Sequence, residues 1–278
     1  MESYSNSKYR LVNRQRLKSG ELVYQIQAIS KFRGDVSEGD LGGYVSGEHN
    51  LSEFGKCWIY KDACVIGDAV VSGDAVVKNN AVISKNASIS DNVEVCHAAT
   101  VTDYAVITGN VHIGANAFVG EHATVIGNVC IVGNAIIRGY ALVGNNTTIA
   151  GNAIVMGNAL ISGDVNITGD VRIDGRMCIY NDGLIKTPHD ISHLSNYPFL
   201  NTSITIYKTK NGSFMVAGEN MITPKTIPDF LKVVDKICTD KCKDTTSKED
   251  ANNIRDQINK FNDAFVSLVT AYFECSAV

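Results

Sequence analysis

The feature that most constrains this 278-residue chain is an uninterrupted six-residue repeat. Twenty-one steps of six residues run from Ile59 to Ile185, and each of the twenty-two step points is Val or Ile. A small apolar residue, usually Ala, stands two positions before most step points, and Gly followed by Asn or Asp commonly stands two and three positions after them. A period of six differs from the 3.6-residue period of an α-helix and is more regular than a series of hairpins.

The repeat predicts a parallel β-helix. Because strand side chains alternate in direction, the step point (position i) and the small residue at i−2 point inward, whereas i−1 and i+1 point outward. A Gly-Asx pair suits a tight corner, since Gly adopts positive φ at no steric cost and Asn and Asp tolerate that region. Residues eighteen apart are expected to stack on successive rungs, so that about seven coils at ~4.8 Å per rung form a prism.

The repeat resembles the hexapeptide-repeat family, whose members form a left-handed β-helix with three hexads per coil. The left-handed sense is implied by that resemblance alone. Four further segments carry a second resemblance: Gly39-Asp40-Leu41-Gly42-Gly43-Tyr44, Cys57-Trp58, Ile204-Thr205-Ile206-Tyr207-Lys208-Thr209 and Ile227-Pro228-Asp229-Phe230. With them the wider layout resembles the YdcK-type proteins of bacteria, prophages and phages, a resemblance that implies the fold and little chemistry.

The flanking sequences predict a mainly β protein in three parts: an N-terminal β cap (1–55), the prism (56–186) and a C-terminal cap of one hairpin and two helices (187–278). Residues 8–29 alternate as a strand, a turn and a strand, and a second hairpin is centred on Asn211-Gly212. Thr226 is the expected N-cap of the first helix. The second helix carries an apolar stripe, which predicts packing on the prism or its own cap, or a coiled-coil seam: Ile254, Ile258, Phe261, Phe265, Leu268 and Tyr272.

Composition and charge exclude several classes of function. The N-terminal part has 7 basic and 7 acidic residues, the prism has 8 basic and 11 acidic residues, and the C-terminal part has 10 and 11. No segment is therefore basic enough to bind nucleic acid. No stretch approaches the ~18 apolar residues of a membrane span, and residues 1–10 lack a signal-peptide core. Eight scattered cysteines favour reduced thiols. We therefore expect a cytoplasmic protein, in the host cytoplasm if a phage encodes it.

One outward column of the prism carries groups that could perform chemistry. Glu94, His112 and Cys130 occupy the i−1 position on three successive rungs. The carboxylate could orient the imidazole, and the imidazole could accept the thiol proton and so create a nucleophile. In the acyltransferases that the repeat resembles, a prism histidine is the general base and acyl-CoA is the donor. An acyl-CoA-dependent acyltransferase, with His112 or His122 as its base, is therefore the alternative function.

A second cluster lies at one corner, where larger side chains replace the usual Asn or Asp. Tyr, His and Arg combine contact area with directional hydrogen bonds, as recognition surfaces require. Tyr and Arg are also poor left-handed turn residues, so we expect backbone strain at this edge. The sequence predicts a binding edge; the other interpretation is a ladder that stabilises the corner or receives the C-terminal cap. The residues are Tyr104, His122, Tyr140 and Arg176, with Asp103 and Glu121 in the adjoining column.

Two outward faces carry more apolar side chains than a soluble monomer should leave open. We therefore expect a homo-oligomer, a trimer or a dimer, that pairs through at least one face, with the C-terminal helices on the other. The first face carries Phe118, Ile136, Ile154 and Met156, and the second carries Val106, Ile126, Leu142 and Leu160.

The sequence predicts neither a metal site nor a cofactor. The His-x4-His spacing of prism-borne carbonic anhydrases is absent among the three prism histidines, which are separated by fifteen and ten residues. A Cys2His2 set from the C-terminal cap is a weaker possibility. Its members would be His189, His193, Cys238 and Cys242.

The leading interpretation is a non-enzymatic, oligomeric binding or scaffold protein. The phage and prophage resemblance suggests an accessory protein that binds a host protein or a small ligand.

Overall fold

The computed structural model describes residues 7–197, 202–218, 221, 223–243 and 247, and, within 252–269, residues 252, 253, 255–257, 259, 260, 262, 263, 265–267 and 269. Most of this part of the chain is a solenoid of stacked parallel strands, with a small antiparallel sheet at each end. The prediction of a mainly β, β-helical protein is confirmed. Within the same residues, no helix has the length and apolar character needed to cross a membrane.

The solenoid has three faces, and each strand pairs in parallel with the strand eighteen residues further on. Face A contains β5 (Cys64–Val65), β8 (Val82–Ile83), β11 (Thr100–Val101), β13 (Phe118–Val119), β15 (Ile136–Ile137), β18 (Ile154–Val155) and β21 (Arg172–Ile173). Face B contains β6 (Val70–Val71), β9 (Ser88–Ile89), the first halves of β12 (Val106–Ile113) and β14 (Thr124–Ile131), β16 (Leu142–Gly144), β19 (Leu160–Ser162) and β22 (Cys178–Tyr180). Face C contains β4 (Trp58–Ile59), β7 (Val76–Val77), β10 (Glu94–Val95), the second halves of β12 and β14, β17 (Thr147–Ile149), β20 (Asn166–Ile167) and β23 (Leu184–Ile185).

The repeat supplies the core of the solenoid directly. All twenty-two Val and Ile side chains at the step points, from Ile59 to Ile185, have a relative exposure of 0 %. The Ala residues two positions earlier, such as Ala63 and Ala105, are equally buried. The interior is thus one continuous, close-packed apolar column.

The corners differ from expectation in one respect. From Gly67 onward the left-handed residue of each corner is at i+2, as in Asp103 (φ 63°), Glu121 (φ 57°) and Gly139 (φ 74°), and the large residues at i+3 have ordinary φ. The i+3 amide instead joins the ladder to the next rung, as when the Tyr104 N–H donates to the Glu121 carbonyl at 2.8 Å. The prediction of backbone strain at the i+3 residues is therefore wrong, because a position with negative φ accommodates any side chain. The residues for which strain was predicted are Tyr104, His122, Tyr140 and Arg176.

The N-terminal cap closes one end of the solenoid. Strands β1 (Tyr9–Arg16) and β2 (Leu22–Ala28) form the predicted hairpin, β3 (Leu41–Val45) pairs antiparallel to β2, and a 3-10 turn (Glu48–Asn50) follows. β3 also pairs in parallel with β5, with Tyr44 opposite Cys64. The cap thus adds a strand to face A and covers an edge that would otherwise offer unpaired backbone groups.

The C-terminal cap closes the other end. After a 3-10 turn (Pro188–Asp190), an antiparallel sheet of β24 (Ile191–Tyr197), β25 (Thr202–Lys208), β26 (Phe214–Gly218) and β27 (Lys225–Thr226) precedes α1 (Ile227–Lys243). The predicted hairpin and N-cap are confirmed, since the Asp229 N–H donates to Thr226 Oγ1 at 3.3 Å. Side chains of β25 bond the last rungs: the Cys178 N–H donates to Thr205 Oγ1 at 2.9 Å, and the Tyr207 hydroxyl donates to the Tyr180 carbonyl at 3.1 Å.

The C-terminal helical side chains that the structure describes pack on this end sheet. Phe230 and Phe265 have ring centroids 5.9 Å apart, and they share a buried cluster with β25 and β26. For these side chains, the expectation that they lie along a long face of the prism is wrong, because the end sheet supplies their apolar partner. The described residues between 252 and 269 are helical. The other five members of the predicted stripe lie outside the described residues: Ile254, Ile258, Phe261, Leu268 and Tyr272.

The close packing of the N-terminal cap predicts that a side chain at Gly43 destabilises the fold. A Cβ atom there would lie 2.4 Å from the Ala63 carbonyl oxygen and 2.5 Å from the Tyr60 carbonyl oxygen. Because these backbone atoms cannot rotate away, we expect Gly43→Ala to lower the free energy of unfolding by about 1–3 kcal/mol. Gly34→Ala is the matched control, since nothing lies within 4 Å of its added Cβ. Equal stability of the two variants in denaturant unfolding would contradict this packing.

Candidate functional site

The corner cluster forms a stack of parallel rings on one edge of the solenoid. The Tyr104 and His122 ring centroids are 5.0 Å apart with planes inclined by 4°, and those of His122 and Tyr140 are 4.7 Å apart with planes inclined by 3°. The rung spacing of ~4.8 Å imposes this stacking. Tyr104 is 56 % exposed and Tyr140 is 65 % exposed, so the stack lies open to solvent. We call these three residues the aromatic edge.

The other two edges of the solenoid carry amide ladders at the same i+3 position. Asn92 donates to Asn110 at 2.9 Å, and Asn110 donates to Asn128 at 2.9 Å. On the other of these two edges Asn116 donates to Asn134 at 3.1 Å. These side chains show that the corner is fully compatible with Asn, so its geometry does not require aromatic rings.

An acidic column lies beside the aromatic edge at the left-handed i+2 position. The Asp103 carboxylate accepts from the Lys85 ammonium at 2.5 Å and from the Glu121 N–H at 3.1 Å. These two contacts hold the pKa of Asp103 below its usual range, and the Lys85 ammonium has the larger effect of the two. The Glu121 carboxylate accepts from the Gly139 N–H at 2.9 Å. The strain predicted for this edge thus falls on Lys85, Asp103 and Glu121, which all have positive φ and use their side chains to hold the corner.

Arg176 lies apart from the aromatic edge. It is in the same corner column as Tyr140 but two rungs further on, with the exposed Asn158 between them. At the rung spacing this is roughly 10 Å of backbone separation. The structure therefore brings together five of the six residues predicted for the binding edge and leaves the sixth at the C-terminal end of the column.

The predicted chemical column is in register on face C. Glu94 is opposite His112 in β10 and β12, and His112 is opposite Cys130 in β12 and β14. In the described part of the chain, however, no hydrogen bond joins Glu94 to His112 or His112 to Cys130, and Glu94 instead pairs with Lys78 at 3.5 Å. Burial raises the pKa of the Cys130 thiol. The stack therefore places the groups together without the contacts that activate a thiol.

The side chain of Cys96 lies next to this column, and sequence analysis missed it. Cys96 is 3 % exposed although its i+1 position points outward. A ligand atom from each of Glu94, Cys96 and His112 lies within 4.8 Å of the other two, so the three could hold a metal ion. An outward cysteine two residues after an outward carboxylate was the only signal that the sequence offered.

A polar cavity of about 500 Å³ opens where the N-terminal cap overhangs face C. Arg33 binds Asp35 at 3.0 Å and the Lys56 carbonyl at 3.0 Å, and the Tyr60 hydroxyl donates to Asp35. Burial and the Asp35 carboxylate raise the pKa of Tyr60 to about 12. The charged groups on this wall thus bond one another and brace the cap. The cavity is lined by Arg33, Gly34, Asp35, Lys56, Asp74, Val76, Asn92, Val93 and Glu94.

A buried Lys–Cys pair joins the cap to the first rung and was also missed by sequence analysis. Lys8 is 3 % exposed, and its ammonium donates to the Ser52 carbonyl at 2.8 Å and contacts Cys57 Sγ at 3.1 Å. Burial lowers the pKa of Lys8 and raises that of Cys57. The pair lies inside the cap, where it is surrounded by protein, so its role is in packing.

The predicted interface residues are aligned along two faces. On face A, Phe118, Ile136 and Ile154 follow one another in register and are half-buried. The next outward column holds Met156, whose sulfur accepts from Arg138 Nη2 at 3.7 Å. On face B, two of the four side chains are the most open, Val106 at 45 % and Ile126 at 39 % exposure. The other two, Leu142 and Leu160, are half-buried.

In comparisons with known proteins, the chain matches no family model and no curated protein. The function therefore has to be argued from the side chains on the solenoid surface.

The state of Cys130 yields a prediction for thiol reactivity. Because burial raises its pKa, the thiolate fraction at pH 7 is expected to be below that of an ordinary cysteine. Peptide mapping by mass spectrometry should show slow labelling of Cys130 by iodoacetamide at pH 7, with a rate that rises as the pH increases. His112→Ala should leave that rate unchanged. Fast labelling at pH 7 that His112→Ala abolishes would instead reveal an imidazole-activated nucleophile.

Proposed function

We propose that this protein is a non-enzymatic β-helical scaffold that binds a protein partner through the aromatic edge. One observation carries the proposal: two edges of the solenoid use Asn ladders at i+3, whereas the third presents exposed, stacked Tyr and His rings at the same position. Since the corner does not need these rings, their presence is explained by contact with another molecule.

The aromatic edge has the physical properties of a recognition surface. Tyr104, His122 and Tyr140 are held in one plane orientation by stacking, so binding would cost little side-chain entropy. Asp103 and Glu121 run beside them as carboxylates that backbone amides hold in place. Ring edges, hydroxyls and carboxylates favour a partner surface that offers Arg, Lys or other donors.

The convex shape of the edge favours a protein over a small substrate. A small molecule needs a concave site that surrounds it and excludes water. The rings project from a corner, whereas the polar cavity of about 500 Å³ lies elsewhere, on face C beside Glu94. A convex row of anchors is better suited to insert into a groove of another protein.

The acyltransferase alternative stays a prediction. Its two candidate bases differ in position: His122 lies between two Tyr rings on the convex edge, and His112 lies on face C without a hydrogen bond to Glu94 in the described residues. Neither arrangement orients an imidazole for proton transfer as catalysis requires. Calorimetric titration with acetyl-CoA separates the two functions, because an acyltransferase must bind its donor.

The binding proposal predicts the effect of replacing Tyr104, His122 and Tyr140 together by Asn. A photo-crosslinking residue at the neighbouring Asn158 should capture the partner in host-cell extract, and the purified partner should bind the triple variant more than about tenfold more weakly. The variant should stay folded, since the other edges accommodate Asn, with a loss of only about 0.5–1.5 kcal/mol per ring contact.

The matched control changes a different edge of the same solenoid. Asn110→Ala with Asn128→Ala removes two members of an amide ladder and should leave the partner affinity unchanged. Circular dichroism and thermal unfolding establish that both variants are folded. If the triple variant unfolds, or if it binds the partner as tightly as the control does, the ring stack is structural and the proposal fails.

We further propose that face A pairs with a second copy of this chain, with a trimer favoured over a dimer by the resemblance to other prisms. The apolar row of Phe118, Ile136 and Ile154 runs in register along this face. A neighbouring copy could cover the row and remove it from water.

This assembly predicts a change of mass on substitution of Ile136. Ile136→Glu places a charge in the centre of the apolar row, so light scattering at micromolar concentration should show the oligomer of the native chain replaced by a monomer. Val106→Glu, on the exposed face B, tests the other predicted face in the same experiment. A native chain that is monomeric, or an oligomer that persists in both variants, would contradict pairing through these faces.

A further inference from the structure

A compact set of metal-binding atoms lies on face C, apart from the aromatic edge. Glu94 and His112 are directly opposite each other in β10 and β12. Cys96 is two residues after Glu94 and therefore points to the same side of the strand. Register and alternation together place one ligand atom from each of the three residues within 4.8 Å of the other two.

Gly114 leaves space beside two members of this set, Cys96 and His112. A Cβ atom added to Gly114 would lie 3.0 Å from His112 Nε2, 3.4 Å from Cys96 Sγ and 3.5 Å from His97 Nδ1. In the same outward column the following rungs carry Val132 and Ala150, so a side chain is normally accommodated here. The point above Gly114 is thus bordered by two nitrogen atoms and one sulfur atom.

The geometry points to a Zn²⁺ site in which Glu94, Cys96 and His112 are the ligands. Thiolate, imidazole and carboxylate are the donors that Zn²⁺ accepts, at about 2.3, 2.0–2.1 and 2.0–2.2 Å respectively. Movements of roughly an ångström by side chains whose backbone is fixed in the sheet would bring the three atoms to these distances. Two negative ligands, a thiolate and a carboxylate, balance the charge of the ion.

His97 is the nearest candidate for the fourth ligand. Its Nδ1 lies 3.1 Å from Cys96 Sγ, on the rung of Glu94 and Cys96. The residue has φ 60°, and its N–H donates to Asn79 Oδ1 at 3.2 Å, which holds the backbone at this corner. The ammonium of Lys78 lies 3.5 Å from Glu94 Oε1, and it can remain there while the other carboxylate oxygen binds the ion. A bound ion would join adjacent rungs of face C.

Zinc binding to the full chain tests the inference. After treatment with a chelator, calorimetric titration with ZnCl₂ should show one ion per chain and a raised unfolding temperature, because the ion binds only the folded register. Substitution with Co²⁺ should produce the near-ultraviolet charge-transfer absorption of a cobalt–thiolate bond. Cys96→Ser should abolish this band and weaken zinc binding by at least about tenfold.

Gly114→Val tests the space directly without removing a ligand. It installs the residue that the next rung carries in this column, so the solenoid should fold while zinc binding falls by at least about tenfold. Gly144→Ala is the control, because Gly144 has the same hexad position on face B and its added Cβ would lie 3.3 Å from the Ile126 side chain and 3.7 Å from the Ile126 carbonyl oxygen. Cys130→Ser is the control for thiol content, since Cys130 is opposite His112 on the following rung but is not one of the three proposed ligands.

Both controls should bind zinc as the native chain does. The inference is overturned if the native chain binds no zinc, or if Cys96→Ser retains both the stoichiometry and the cobalt–thiolate band. If circular dichroism shows that Gly114→Val is misfolded, the cobalt–thiolate band of the folded Cys96→Ser variant still decides: its loss supports this site, and its retention places the metal elsewhere.

Discussion

Every feature of this protein depends on the hydrogen-bonded register between residues eighteen apart. The His122 N–H donates to the Gly139 carbonyl at 2.9 Å, and equivalent bonds recur along all three faces. A slip of one residue would turn the buried Val and Ile outward, so the dry core enforces the register. Because the rungs are ~4.8 Å apart, each outward side chain lies in contact range of its counterparts on the adjacent rungs. Amide ladders, stacked rings and the donor atoms near Gly114 all result from that spacing.

The same constraint separates structural positions from positions that are free to serve function. Most inward residues are Val, Ile or Ala because the space between rungs favours small or branched apolar side chains, and the i+2 corner residue must tolerate positive φ. Outward positions and the i+3 corner carry no such requirement. Departures from the common pattern there, such as Tyr104 in place of Asn or Gly114 in place of a side chain, are therefore the best guide to function on this surface.

The two caps solve a problem that an open parallel stack cannot avoid. Each end of the solenoid would expose a row of backbone donors and acceptors and the end of the apolar column. At one end β3 enters face A as an additional strand, with Gly42 and Gly43 permitting its close approach to β4 and its neighbours. At the other end Thr205 and Tyr207 bond the backbone of the last rungs. The C-terminal helices stabilise that end sheet.

The sequence by itself determined the solenoid and which residues share each column. A strict period of six with Val or Ile at each step allows only one assignment of the inward-pointing residues. It therefore placed Glu94, His112 and Cys130 in one row and Tyr104, His122 and Tyr140 in another. Tertiary structure alone decided three further matters: that i+2 is the left-handed residue, that Phe265 packs on Phe230, and that Cys96 meets His112 above Gly114. A period specifies spacing and direction, whereas contacts depend on backbone φ, side-chain rotamers and the space left by an absent side chain.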